Sequence, residues 1–353
     1  MSIPLIKTNI ADLTKQELVS WLETKNIAPF RATQIFHWVF TAQTDDFSAM
    51  TNIKKEIRSL LAEHFTVARL NIKTVETSRD GSKKYLFELT DGQLIESVFI
   101  PGQTHDTLCI SSQVGCAQGC RFCFTAQAGF IRNLSAGEII GQVRDIRNTL
   151  PPDHQLTNIV LMGMGEPLAN YENVLAALQT LSDPEAGLGI SPRKITLSTA
   201  GLVPKLTLLG RDSLVNVAIS LNATDNDTRN RLMPINRKYP IEQLLAACRE
   251  YPLPPRRKLT FEYILIEGLN DSPLQARQLA KLLRPIKAKI NLLPFNEHEG
   301  SEFKRPAEHR IFQFQKILQD ADYTAIIRQS KGTDISAACG QLHAKSIIRA
   351  KTA

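Results

Sequence analysis

Three cysteines stand within eight residues, in the run Cys116-Ala-Gln-Gly-Cys120-Arg-Phe-Cys123. A hydrophobic core has no need of three thiols so close in sequence. Thiolates are soft ligands suited to zinc, copper(I) or iron–sulfur clusters. A structural zinc site takes four protein ligands, commonly as two separated pairs. Here the group stops at three. Cys109, Cys248 and Cys339 stand alone, and His105 precedes the group with no partner at ligand spacing. Three thiolates leave one corner of a metal centre open to chemistry. A second group is Gly163-Met-Gly165-Glu166-Pro167. Its glycines let backbone approach a ligand closely, and its carboxylate can accept hydrogen bonds from an ammonium group. Small polar residues end other apolar stretches at Ser198, at Ser220-Leu221-Asn222 and at Asn296. Each of these alone reads equally well as an ordinary strand-end turn. Cys339 alone reads as a small buried residue in Ala-Ala-Cys-Gly, and Cys109 as either a strand-core thiol or a working one.

The rest of the chain must bring these residues together. Its 353 residues can bury one large domain plus a smaller one. No run of eighteen apolar residues exists, so no membrane span is expected. The first residues lack a secretion-signal layout, and clustered unpaired cysteines suit a reducing compartment; a cytoplasmic location is expected. A net charge of +7 favours a polyanionic partner without demanding one.

Residues 1–68 read as a small helical domain. Thr14-Lys-Gln-Glu17 is a capping box, Pro29 suits a helix first turn, and a third helix is expected over about 52–64. The basic residues there read either as solvated surface or as an RNA-gripping module. Residues 69–101 alternate with period two and carry Asp80-Gly81 and Asp91-Gly92 turns, which predicts a β-ribbon connecting two domains. From 102 to 353 strands alternate with amphipathic helices. Strands are expected at Thr107–Ser111, Asn158–Met162, Lys194–Leu197, Val215–Ser220, Lys258–Ile266 and Ala288–Pro294. One helix opens at the capping box Ser135-Ala-Gly-Glu138, and another places Cys248 on its apolar face as a core residue. Six βα units imply an α/β fold with a parallel sheet, short of a closed eight-fold barrel. A partial (β/α)6 barrel is therefore expected, with active residues at the carboxyl ends of its strands.

The spacing C-x3-C-x2-C, with Phe122 just before the last cysteine, resembles the signature of radical S-adenosylmethionine (SAM) enzymes. Six further stretches sharpen that likeness: Ile95-Glu-Ser-Val-Phe-Ile-Pro101, Cys109-Ile-Ser-Ser-Gln-Val-Gly-Cys116, Gly163-Met-Gly-Glu-Pro-Leu168, Leu197-Ser-Thr-Ala-Gly201, Met233-Pro-Ile-Asn236 and Ala338-Cys-Gly-Gln-Leu342. With them the chain resembles, over nearly its whole length, the RlmN family of dual-specificity RNA adenine methyltransferases. Two positions depart from the family pattern. Asn222 stands where histidine is usual, and Phe124 where a smaller residue is usual.

The resemblance implies a radical-SAM barrel holding a 4Fe-4S cluster on Cys116, Cys120 and Cys123. It implies S-adenosyl-L-methionine, two molecules per turnover, bound by Gly165, Glu166, Ser198, Ser220, Leu221, Asn222 and Asn296. It also implies methylation of adenine carbon-2 in 23S ribosomal RNA and in transfer RNA. Cys339 would carry the methyl as S-methylcysteine, Glu96 would accept the proton, and Cys109 would resolve the RNA adduct through a transient disulfide with Cys339. An external electron donor is implied for the cluster and the disulfide, and a monomer is expected. Two other readings share some of these features. A related enzyme methylates carbon-8 of the same ribosomal adenine with the same cluster and cysteines, and a zinc-stabilised RNA-binding protein would do no catalysis.

Overall fold

The computed structural model describes residues 7–151, 154–297 and 301–342. Ten strands form one sheet: β1 (Asn71–Thr77), β2 (Lys83–Glu88), β3 (Leu94–Ile100), β4 (Asp106–Cys109), β5 (Leu156–Leu161), β6 (Ile195–Thr199), β7 (Asn216–Ser220), β8 (Leu259–Leu265), β9 (Ala288–Pro294) and β10 (Ala325–Ile327). They lie side by side in chain order. From β4 to β10 every pairing is parallel. Successive right-handed crossovers in one direction put the connecting helices on one face, which leaves the other face to the strands' own side chains. With β1 and β10 at opposite edges, the sheet does not close. The partial barrel expected from the sequence is therefore present, its six strands being β4–β9.

Two features were not foreseen. The three-residue β10 adds a seventh parallel strand, too short to carry a period in sequence. The ribbon over 69–101, expected as a connector, is the antiparallel wing of the barrel sheet itself. β3 pairs with β4 from Val98↔Cys109 to Ile100↔Thr107, and its residues are buried from Leu94 through Phe99. A strand so buried needs neighbours on both edges, and only the barrel supplies the second one. Asp80-Gly81 and Asp91-Gly92 turn as expected, with Gly81 at φ 85° and Gly92 at φ 78°.

The N-terminal helices span Lys15–Thr24, Arg31–Phe36 and Lys55–His64. The first carries the foreseen capping box, Thr14 and Glu17 each bonding the other's backbone N–H. The second runs into a wide π turn over His37–Thr41. Leu18, Leu22, Ile35, Phe36, Val39, Phe40 and Leu61 fill the space between them. The helix Ala136–Arg147, capped by Ser135 and Glu138, fastens this module to the barrel. Asp12 Oδ1 accepts from Gly137 N at 2.8 Å. Asp145 accepts from Arg69 at 2.9 Å, from Leu70 N at 2.8 Å and from the buried Arg144 at 2.8 Å. Cys248 is buried on the helix Ile241–Glu250, as expected of a core residue.

Removing one partner from a buried charge pair leaves the other uncompensated. Asp145→Ala is expected to cost roughly 3–5 kcal/mol of unfolding free energy, read from urea denaturation of the full chain. A loss below about 1 kcal/mol, the range of a surface pair, would remove this carboxylate from the structural account.

Candidate active site

The carboxyl ends of the parallel strands open into a cleft with a cavity of about 180 Å³. Cys116, Cys120, Cys123, Gly165, Glu166, Ser198, Ser220, Asn222, Asn296 and Cys339 all line it. Leu221, Glu96 and Cys109 do not.

The cysteine loop leaves the short strand Gln113–Gly115, which pairs with Phe130–Asn133. Gly115 sits at φ 73°, and a Cβ there would lie 1.9 Å from the Gly129 carbonyl oxygen. Only glycine lets Cys116 N donate to that carbonyl at 2.9 Å. Gly119 takes a second left-handed turn at φ 68°, and Cys123 N donates to the Cys120 carbonyl at 3.1 Å. Burial pushes the Cys116 thiol up to about 12, and raises those of Cys120 and Cys123 as well. For Cys120 the charges of Cys123 and Cys116 add to burial. Such thiols ionise when metal ions supply the missing positive charge. Among the described residues, no three His, Cys, Asp or Glu side chains converge on a single-ion site. Cys116, Cys120 and Cys123 line one cleft, a soft donor set of the kind that suits an iron–sulfur cluster.

The Gly163–Pro167 loop follows β5. A Cβ on Gly163 would meet the Ile110 carbonyl oxygen at 2.7 Å, and one on Gly165 (φ 104°) would meet Gln113 at 2.6 Å. Glu166 is buried and accepts from Leu168 N at 3.0 Å and from Ala200 N at 2.7 Å, tying the ends of β5 and β6 together. Burial pushes its carboxyl up to about 6 against those bonds. A carboxylate has about four acceptor positions, so capacity remains on the cleft side.

Asn222 is left-handed at φ 60°, a conformation that asparagine tolerates better than most residues. Its Oδ1 accepts from Ile264 N at 2.9 Å, its Nδ2 points at the Met233 sulfur at 3.2 Å, and its carbonyl accepts from Asn270 at 2.8 Å. It braces β7 against β8. Leu221 is buried and meets its surroundings through backbone, its N donating to the Glu262 carbonyl at 3.0 Å.

Cys339 sits on the cleft rim, on a loop anchored from two sides. On the wing side, Asp80 Oδ2 accepts from Gly332 N at 3.0 Å, and Asp334 accepts from Ser78 Oγ at 2.5 Å and Arg79 N at 3.1 Å. Burial would raise the Asp80 carboxyl, but bonds from Gly332, Ser82 and Ser78 hold it down at about 2. On the cleft side, Phe124 N donates to the Gly340 carbonyl at 2.7 Å and Thr125 Oγ1 to the Leu342 carbonyl at 2.7 Å. Asn296 Nδ2 donates to the Cys339 carbonyl at 3.2 Å.

Solvent reaches Cys339. Even so, protein atoms crowd the thiol enough to push it up to about 11, with the Glu262 charge adding and Arg328 opposing. Cys109 ends β4. Burial raises its thiol, and the Cys339 thiol adds to that in the same direction. Glu96, on β3, is buried with Lys84 Nζ at 3.6 Å. The same ammonium donates to the Ile335 carbonyl at 2.7 Å, so Glu96 borders the Cys339 loop.

Sequence reading missed Glu262. It lines the cleft from β8, accepts from Asn291 at 2.9 Å, and burial raises its pKa. The signal was there, since an acid interrupts the apolar run Leu259-Thr-Phe-Glu-Tyr-Ile-Leu265.

Residues 8–67 match the profile of the ribosomal RNA large subunit methyltransferase N-terminal domain, and residues 110–280 that of the radical SAM superfamily. A dual-specificity RNA methyltransferase RlmN of Desulfosudis oleivorans is 58% identical over 98% of this chain and 93% of its own. That of Syntrophobacter fumaroxidans is 50% identical over 95% of this chain and 98% of its own. The crystal structure of a radical SAM methyltransferase from Sphaerobacter thermophilus superposes with a TM-score of 0.87 at 43% identity, covering 95% of this chain and 99% of that one. With its cysteine-lined cleft at the open end of a partial barrel, the chain belongs to the RlmN family of radical SAM RNA methyltransferases.

Proposed function

We propose that the protein methylates carbon-2 of adenine in 23S ribosomal RNA and in transfer RNA through a methyl carried on Cys339. The observation that carries this reading is the seating of the Cys339 loop on the cysteine loop, so that Cys339 and the three clustered cysteines line one cleft. Carbon-2 lies between two ring nitrogens and has no electron pair with which to attack a methyl sulfonium, so polar methyl transfer fails there. A carbon radical can add instead.

Cys339 first takes a methyl from one SAM by displacement, as thiolate. Its rim position suits access. Cys116, Cys120 and Cys123 would hold the 4Fe-4S cluster. When bound, it supplies the electron that splits a second SAM into methionine and a 5′-deoxyadenosyl radical able to take hydrogen from the Cys339 methyl. Gly165 and Glu166 would receive the SAM amino group, with Ser198, Ser220 and Asn296 as further polar contacts. Leu221 contributes backbone at most, and Asn222 would have to give up its Met233 contact to reach SAM. Glu96 is the candidate acceptor for the carbon-2 proton. Once the adduct has passed its unpaired electron to a one-electron acceptor and its carbon-2 proton to Glu96, the Cys109 thiolate attacks the Cys339 sulfur. The carbon–sulfur electron pair leaves with the product carbon, which takes a proton to become the methyl, and the disulfide formed is reopened by an external reductant.

The RlmN names of the relatives support carbon-2 over carbon-8. The cluster loop supports an enzyme over a zinc-stabilised binder. Residues 1–68 are proposed as an RNA-gripping accessory module, 69–101 as the wing, and 102–353 as the catalytic barrel with its C-terminal segment. Residues 343–353 lie outside the described ones. No described helix is long and apolar enough to cross a membrane, and a cytoplasmic monomer remains part of the proposal.

Three outcomes test the reading. Cys116→Ala, Cys120→Ala and Cys123→Ala should each lower iron from about four per chain to near zero after anaerobic reconstitution and abolish methylation. Full iron and turnover in any one of them would sink the cluster assignment. RNA affinity should fall by orders of magnitude between about 50 and 200 mM salt, whereas a flat titration would make the positive charge incidental. Finally, Cys109→Ala should be isolated with RNA bound covalently through Cys339, seen by mass spectrometry of the peptide spanning Ala338–Leu342 after nuclease trimming. Cys339→Ala should carry neither methyl nor RNA. Normal turnover by an RNA-free Cys109→Ala protein would overturn the two-cysteine route.

A further inference from the structure

Arg229 is a guanidinium with no accessible surface. It lies on the short helix Asn226–Leu232, and all its nitrogens bond to uncharged oxygens. Nε donates to the Leu221 carbonyl at 3.0 Å. One terminal nitrogen donates to Asn236 Oδ1 at 2.9 Å and the Tyr239 carbonyl at 3.5 Å. The other donates to the carbonyls of Ala200 at 2.8 Å and Ser220 at 3.1 Å. A buried charge is ordinarily paired or set beside a metal. The other large buried arginine, Arg144, obeys that rule with Asp145 at 2.8 Å. Arg229 does not: among the described residues no carboxylate pairs with it, and the ionisable side chains near it are Cys120 and Cys248.

Cys248 is a core residue of a neighbouring helix, whereas Cys120 belongs to the cysteine loop, and that loop rests on the Arg229 segment. Arg121 N donates to the Leu232 carbonyl at 3.0 Å, and Cys120 and Phe122 pack with Ala200, Leu232 and Met233. The acceptors Ala200 and Ser220 are themselves cleft wall. A fixed positive charge thus stands behind the lining of the cleft, where at Cys120 it opposes the negative charge of Glu166.

We propose that Arg229 is the built-in counter-charge of the iron–sulfur cluster carried by Cys116, Cys120 and Cys123, and that it raises the potential at which this cluster accepts an electron. The inference rests on the radical-SAM reading above. Each electron added to a thiolate-bound cluster makes it more negative, so a buried cation stabilises the reduced form more than the oxidised one. The fan of carbonyls fixes the guanidinium in place without neutralising it, as a carboxylate would. Arg229 is a positioning residue in this sense. It touches neither substrate nor the reacting atoms, and it acts through its charge.

The test compares full-length wild type, Arg229→Gln and Arg229→Lys, each reconstituted anaerobically. The cluster is followed by electron paramagnetic resonance through a dye-mediated redox titration. In Arg229→Gln, the reduced-to-oxidised ratio at the wild-type midpoint should fall on the order of tenfold, which is a shift of about 59 mV to lower potential for one electron. Arg229→Lys, which keeps the charge but loses the planar fan, should stay near wild type. Cluster assembly in Lys but not in Gln would equally support the counter-charge. An unchanged midpoint in an iron-replete Gln protein would overturn the proposal. So would Lys and Gln shifting alike, or losing iron alike, since the carbonyl fan alone would then matter. Failure of the wild type itself to bind iron would sink the radical-SAM reading, a separate outcome.

Discussion

A thiol buried in an apolar cleft stays protonated unless positive charge meets it, and this constraint organises the catalytic end of the molecule. Cys116, Cys120 and Cys123 are all pushed away from ionisation by their surroundings. Three such thiols on one short loop suit a metal centre, which would supply that positive charge. Two left-handed glycines, Gly115 and Gly119, supply the turns. Gly163 and Gly165 then bring the next loop to a spacing that leaves no room for a Cβ. Behind the wall, Arg229 adds a cation held by carbonyls. Chain geometry and electrostatics point to the same occupant.

The sheet explains how residues from distant parts of the sequence share this end. β4 pairs antiparallel with the wing through β3 and parallel with the barrel through β5. Cys109, at its end, stands where the two halves of the sheet join. Glu96 comes from the wing, Glu166 from the crossover after β5, and Glu262 from the middle of β8. Sequential strand order lets each contribute from a carboxyl end or an adjoining strand without any chain crossing the cleft.

What could be read from the sequence follows the range of the interactions involved. The capping boxes at Thr14 and Ser135 depend on residues three apart, and both formed as written. The hairpin glycines and the parallel strands carry local periods, and they too were legible. The place of the wing was not, because whether β3 ends a ribbon or continues a barrel depends on its pairing with β4. β10 was missed because three residues cannot show a period. At the site, the cysteine spacing and the Gly-Glu-Pro turn announced themselves. Asn222 shows the limit, since its type suggests a donor to ligand while its left-handed backbone and its bond to Ile264 make it a brace. Glu262 was overlooked because a strand reading attends to apolar alternation and passes over the one residue that breaks it.

The loop bearing Cys339 is strung between two supports of different kinds. One is the hairpin at Ser78–Asp80, rigid backbone at the sheet's edge. The other is the segment that begins immediately after Cys123, where Phe124 and Thr125 hold Gly340 and Leu342. That second support continues directly from the loop of Cys116, Cys120 and Cys123. The position of the Cys339 thiol and the shape of the cysteine loop are thus mechanically joined, like two ends of one lever, so that a shift in either is passed to the other.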